Sequence, residues 1–164
     1  MTALMLLAGS QCKKHNATMP DSMECLINGR SWTASSLATH SYAFTYGDTV
    51  FTAVGQDTAF LYSEVVIRVA ITSTPGFSLG VPIPFNGNNS PNLLSYFTDS
   101  TCLDTTGVEI VSVPAISGSV TVTKLDTVHH EFAGTFSATI VLTQCDDTIQ
   151  LTDGRFDQYY KYQN

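Results

Sequence analysis

Residues 118–160 read GSVTVTKLDTVHHEFAGTFSATIVLTQCDDTIQLTDGRFDQYY, and this stretch decides the fold. Between Phe132 and Leu142 every even position is apolar or glycine, while the odd positions are mostly Thr, Ser and Ala. This period of two predicts an antiparallel strand with one buried face. A similar alternation around Val120 precedes it and another around Leu151 follows it. The stretch therefore predicts a C-terminal three-stranded meander.

The last strand of this meander carries a break in its pattern. Leu151 and the next large apolar residue, Phe156, have opposite parity, and Gly154 lies between them. A β-bulge at that point would shift the register by one residue. Asp153-Gly154-Arg155 is therefore predicted to be a bulge with a neighbouring ion pair, rather than part of an acidic catalytic site.

The earlier part of the chain extends the strand pattern. Asn28-Gly29 separates two alternating segments and predicts a hairpin, because both residues tolerate the positive φ of a type I′ turn. Trp32 follows at a core position, with an aromatic binding platform as the alternative. Alternation predicts further strands over residues 42–46, 50–54, 65–71, 93–98 and 108–113.

Composition supports one all-β domain and limits its partners. The chain has 164 residues, only 13% of them charged, and nothing marks a boundary between two cores. We predict a single domain over residues 23–164, an antiparallel β-sandwich or partly open β-barrel of about nine strands. The net charge of −7 argues against nucleic acid, because phosphate contacts need clustered Lys and Arg and the chain has seven scattered ones.

The N-terminal residues predict export. Residues 1–11, MTALMLLAGSQ, resemble the apolar centre of a secretory signal peptide whose charged start is missing. Cys12 follows small residues at positions 8–10, as at a lipoprotein cleavage site, although Gln11 stands where a small residue is usual. A plain secretory signal or a buried N-terminal strand is the alternative. Residues 12–22 are polar and are predicted to be a lipid-anchored tether.

These motifs resemble those of a family of small, uncharacterised lipoproteins of Bacteroidetes-type bacteria. The resemblance rests on Cys12-Lys13-Lys14, on Asn28-Gly29 with Trp32 and Ala34, and on the closing meander from Gly118. It covers about half of the chain, and its motifs are structural rather than catalytic. The resemblance implies lipidation of Cys12, a place in the bacterial cell envelope as an outer-membrane lipoprotein, and no known activity.

The cysteines predict one disulfide. If Cys12 carries lipid, three of the four cysteines remain, in an oxidising compartment. Cys102 and Cys145 both lie in polar loops and are predicted to pair, whereas Cys25 lies within a strand and is predicted to be a buried thiol. No two cysteines have CxxC spacing, which argues against a structural zinc site.

The remaining polar residues form no catalytic or cofactor motif. His129 and Glu131 could share an ion on one face of an extended chain, but no third ligand is visible, and exposed turn histidines are the better interpretation. The sequence has no G-x-S-x-G elbow and no glycine-rich phosphate loop. We therefore predict no catalytic residue, no metal and no cofactor.

Residues Thr72–Leu94 break the strand pattern and are predicted to hold any binding site. Loops this long in a compact domain are often functional. The predicted ligand contacts are rings and amides that no strand would bury: Phe77, Phe85, Asn86, Asn88 and Asn89. Such a mixture suits a glycan or a protein ligand. The alternative is that the two rings close the end of the core while the asparagines only turn the chain.

Together these patterns predict an exported, lipid-anchored β domain that acts as a non-enzymatic binding or interaction module on a membrane. The alternative is a small hydrolase whose site is assembled from residues distant in sequence. The binding module is favoured because enzymes usually leave a recognisable polar motif. A deep pocket with several buried titratable groups would reverse that order.

Overall fold

The computed structural model describes residues 22–35, 40–45, 49–57, 63–85, 91–98, 111–143 and 146–163. Within these ranges the chain forms strands and turns and no helix, which confirms the all-β prediction. The strands are β1 Ser22–Ile27, β2 Arg30–Thr33, β3 His40–Thr45, β4 Thr49–Asp57, β5 Ser63–Ala70, β6 Pro82–Pro84, β7 Leu93–Thr98, β8 Val111–Pro114, β9 Ser117–Asp126, β10 Glu131–Leu142 and β11 Asp147–Gln163. Of these, β6 was not predicted.

The strands form two antiparallel sheets. The first has six strands in the order β2-β1-β11-β10-β9-β6, and the second has the order β3-β4-β5-β7-β8. The predicted meander is the β9-β10-β11 part of the first sheet. The outer strands β6 and β8 do not pair with each other, so the fold is a two-sheet sandwich and not a closed barrel.

Strand β11 joins the two sheets at one corner. Most of it lies between β1 and β10, but its last residues, Tyr160–Gln163, pair in parallel with Ser41–Phe44 of β3. Aromatic rings fill the space between the sheets, where the Phe51 centroid lies 5.4 Å from that of Phe132 and 5.0 Å from that of Tyr160. Such pairs add to the stabilisation from apolar burial, and they make one continuous core.

The hairpin at Asn28-Gly29 and the core position of Trp32 are both confirmed. Asn28 and Gly29 have φ angles of 49° and 77°, the positive values that a type I′ turn requires. The Trp32 ring is buried, and its Nε1 donates a hydrogen bond of 2.9 Å to Ser63 Oγ on β5. This bond satisfies the indole N–H between the two sheets, so Trp32 serves the core rather than a binding platform.

The predicted bulge in β11 is also confirmed. Gly154 lies opposite Phe136, and Leu151 lies opposite Ala138, so that Thr152 and Asp153 together face the single residue between them on β10. The buried face therefore changes from odd to even positions after the bulge. An ion pair does neighbour the bulge: Arg155 Nε lies 3.2 Å from Oε1 of Glu24 on β1, a partner that the sequence had not indicated.

A second bulge lies in β9. Gly134 pairs with Val122 and Ala133 pairs with Lys124, so Thr123 is the extra residue. This shift explains why Leu125 packs against the core although its parity differs from that of Val122.

Candidate functional site

The irregular stretch after β5 carries the candidate site. Its described part, residues 72–85, is here called the proline loop. It consists of turns followed by the three-residue strand β6 at the edge of the first sheet, where Ile83 lies opposite Val120 of β9. The proline loop therefore connects β5, an inner strand of the second sheet, to β6 at the edge of the first sheet.

A buried polar cluster fixes the start of the proline loop. Asn92, directly before β7, accepts a hydrogen bond of 2.9 Å at Oδ1 from the Ala70 backbone N–H. Its Nδ2 lies 2.9 Å from Thr74 Oγ1, and this hydroxyl in turn donates to the Ala70 carbonyl at 2.5 Å. The Asn92 side chain thus extends the β5–β7 ladder by one bond and binds the first turn of the loop to it.

Backbone hydrogen bonds to β9 fix the other end of the proline loop. Gly80 N donates to Val122 O at 2.8 Å, and Phe85 N donates to Gly118 O at 2.9 Å. Gly76 and Gly80 have φ angles of 70° and 79°, a conformation that glycine adopts at little cost. The loop is therefore held at both ends by specific bonds, although its sequence has no strand alternation.

The predicted ligand contacts differ in where the structure places them. Phe85 has only 2% of its surface exposed and belongs to the core, and Phe77 is half-buried and packs against the same core. The ring of Phe85 is therefore not available at the surface, and its packing favours the alternative in which it closes the core. Asn86, Asn88 and Asn89 lie outside the described residues.

The exposed side chains of the proline loop include aliphatic ones that the sequence prediction missed. Leu79 and Val81 are 50% and 49% exposed, and the neighbouring rings of Pro82 and Pro84 are exposed as well. The position of Leu79 and Val81 on either side of a glycine is the sequence signal that could have indicated their exposure. They flank Gly80, whose left-handed backbone interrupts any alternation, so that neither is committed to a buried sheet face.

The turn between β9 and β10 is the second polar cluster. The backbone N–H of His129 donates to Asp126 Oδ1 at 2.9 Å, His129 Nδ1 lies 2.7 Å from Asp126 Oδ2, and the N–H of Val128 donates at 2.9 Å. These contacts lower the pKa of Asp126 to about 2. Glu131 is engaged instead in an ion pair with Lys124. The structure thus brings His129 to Asp126, and this contact shapes an exposed turn.

Of the cysteines, Cys25 lies in the described part of the chain. Its thiol is buried and free, as the sequence predicted, and burial raises its pKa to about 12. Cys12, Cys102 and Cys145 lie outside the described residues, so the lipidation of Cys12 and the disulfide between Cys102 and Cys145 stay predictions.

Among the described residues no helix is long and hydrophobic enough to span a bilayer. The same residues contain no group of three His, Cys, Asp or Glu side chains arranged to hold a metal ion. Comparisons with protein-family models, with curated proteins and with solved structures found no match to this chain.

Proposed function

We propose that this chain is an exported, lipid-anchored β domain that binds a partner without catalysing a reaction, and that the proline loop is its contact surface. The observation that carries the proposal is the combination of rigidity and exposure in this loop. Both of its ends are hydrogen-bonded to neighbouring strands, yet Leu79 and Val81 keep half of their surface in water.

Rigidity matters because ordering a flexible loop on binding costs free energy. The proline loop is already ordered in the folded domain, so its contacts with a partner contribute more fully to affinity. Burying apolar surface on a partner favours association by about 25 cal/mol per Å² before the entropy cost of association is subtracted. Leu79, Val81 and the rings of Pro82 and Pro84 supply this surface along one short stretch of chain.

The anchor is supported by the sequence. Cys12 would carry the lipid at the start of the polar tether, residues 12–22, and hold the domain at the outer membrane of a bacterial envelope. Several acyl chains on one residue give firm attachment, whereas a single chain binds a membrane reversibly.

Mass spectrometry of the membrane fraction tests the anchor after expression behind a complete signal peptide. We expect a mature protein that begins with acylated Cys12, and a Cys12→Ser variant that leaves the membrane fraction. An unmodified Cys12, or a mature start elsewhere, contradicts the anchor without touching the binding surface.

The binding surface is tested with the full chain carrying Cys12→Ser, probed on arrays of oligosaccharides and of peptides. We expect binding to at least one class of probe. A double variant, Leu79→Ser with Val81→Ser, should lose it, while Val128→Ser should keep it. Val128 is the matched control, because it is an exposed aliphatic residue in the β9–β10 turn. Equal binding by all three proteins, or binding to no probe, overturns the proposal.

A further inference from the structure

The edge strand β6 has an unusual set of backbone groups. Phe85 N donates to Gly118 O, so Phe85 occupies a position whose backbone groups face β9. Orientation alternates along a strand, and Ile83 opposite Val120 has the same orientation as Phe85. Pro82 and Pro84 occupy the alternate positions, which places their backbone carbonyls on the side away from β9.

The outer side of β6 therefore accepts hydrogen bonds and donates none. Proline has no backbone N–H, so the outward groups are the two carbonyl oxygens, about 7 Å apart along the strand. A β-strand that paired with this edge would receive no N–H donor from Pro82 or Pro84. Its own carbonyls would face the proline rings instead of hydrogen-bond donors. This edge of the sheet is unsuited to an extended peptide.

Neither the proline loop nor the part of β9 paired with β6 carries a charged side chain. Residues 72–94 contain no Asp, Glu, Lys, Arg or His, and the β9 residues opposite β6 are Ser119, Val120 and Thr121. An ionic ligand would find no charge of opposite sign on these described residues of the edge. The exposed residues that precede these carbonyls in the chain include the aliphatic Leu79 and Val81.

From these features we infer that the proline loop binds a neutral saccharide. Hydroxyl groups of the sugar donate to the carbonyl oxygens of Pro82 and Pro84, and an apolar C–H face of the ring lies against Leu79 and Val81. A neutral sugar suits an edge that offers only acceptors, because each sugar hydroxyl can donate a hydrogen bond. It also carries no charge that would need a partner of opposite sign at this uncharged edge. This inference rests on the proposed function, since it names the ligand class for the same surface.

The test starts from a glycan array that includes neutral and acidic oligosaccharides, probed with the full Cys12→Ser chain. A neutral oligosaccharide that binds on the array is then titrated into the protein, and NMR follows the carbonyl ¹³C signals of Pro82 and Pro84. If several neutral oligosaccharides bind equally well, cellohexaose and maltohexaose are used. We expect both signals to shift with saturation. The Leu79→Ser, Val81→Ser variant should bind on the order of tenfold more weakly, because it loses apolar contact area, and Val128→Ser should bind like the parent.

A second variant, Pro82→Ala with Pro84→Ala, separates sugar from peptide. It restores outward N–H groups but keeps the carbonyls, so sugar affinity should stay within about twofold, whereas a partner that adds as a strand should bind the variant more tightly. The array could instead yield a peptide that binds more weakly to the Leu79→Ser, Val81→Ser variant and more tightly to the Pro82→Ala, Pro84→Ala variant. That result overturns the saccharide as the ligand class but keeps the proline loop as the contact surface. Sugar binding that leaves both carbonyl signals unmoved overturns the inference. Binding indifferent to Leu79 and Val81 overturns the surface as well.

Discussion

The meander and the proline loop are neighbours, since β6 pairs with β9, yet different interactions hold them in place. In the meander every second residue of β10 is buried, and stability comes from apolar contacts repeated along the strand. In the proline loop, by contrast, individual hydrogen bonds, among them those of Asn92 and Gly80, add to the burial of Ile83 and Phe85 at its end. The comparison teaches that a segment can be well ordered while it buries only some of its apolar side chains: Ile83 and Phe85 lie in the core, whereas Leu79 and Val81 stay half exposed.

The largest effect is expected from Phe132→Ala in the meander. Phe132 is fully buried, and its ring centroid lies 5.4 Å from that of Phe51 and 4.9 Å from that of Phe156. Removing the ring leaves a cavity at the contact between the sheets, and the free energy of unfolding should fall by about 3–5 kcal/mol. Chemical denaturation measures this change.

The matched control for Phe132→Ala is Val128→Ala, in the turn at the end of the same hairpin. Val128 is 81% exposed, so the free energy of unfolding should change by less than about 0.5 kcal/mol. A similar loss in both variants would mean that the meander is not held by its buried face.

A smaller effect is expected from Asn92→Ala, which removes the polar cluster at the start of the proline loop. The Ala70 N–H loses its acceptor in a buried position, which should cost about 1–3 kcal/mol. Amide hydrogen exchange should become faster at Ala70 and in the turn that follows, with smaller changes in β10.

Thr72→Ala is the control for Asn92→Ala. The Thr72 hydroxyl accepts an exposed hydrogen bond of 3.3 Å from Thr49 N, so its loss should matter little. If the amides at Ala70 and in the following turn exchanged no faster in Asn92→Ala than in Thr72→Ala, the Asn92 hydrogen bonds would not be what orders the loop.

The smallest effect is expected from lowering the pH, which protonates Asp126 in the β9–β10 turn. In this turn the meander, too, is held by hydrogen bonds to a side chain. The pKa of Asp126 is lowered to about 2, first by the His129 backbone N–H. A lowered carboxyl pKa stabilises the fold above the ordinary pKa of an unfolded Asp, and this contribution is lost as pH falls through the folded value. The Asp126 carboxyl ¹³C signal should therefore titrate with a midpoint near 2.

His129→Ala sharpens the test of Asp126. It removes the imidazole contact but keeps the backbone N–H, so the midpoint should rise part of the way toward the ordinary Asp value. A midpoint at the ordinary value in the unchanged protein would show that the turn does not hold the carboxylate in solution.

Sequence reasoning worked where burial repeats along one strand. The even positions of β10, the Asn28-Gly29 turn and the bulge at Gly154 could all be predicted, because each depends on residues close together in the chain. It left Phe85 open between a ligand contact and a ring that closes the core, because the docking of β6 on β9 decides that ring's burial. Leu79 and Val81 were missed for the same reason.

The sequence by itself determined the all-β class, the strands of the meander and the faces that they bury, since the side-chain period and the hydrophobic effect act locally. Tertiary structure alone decided that β11 crosses from one sheet to the other through its parallel pairing with β3. It also placed the polar Gln158 at a fully buried position, where its Nε2 donates to Val54 O at 3.0 Å. A buried amide is stable only if an acceptor is available, and that acceptor comes from a strand about a hundred residues earlier, which no local pattern encodes.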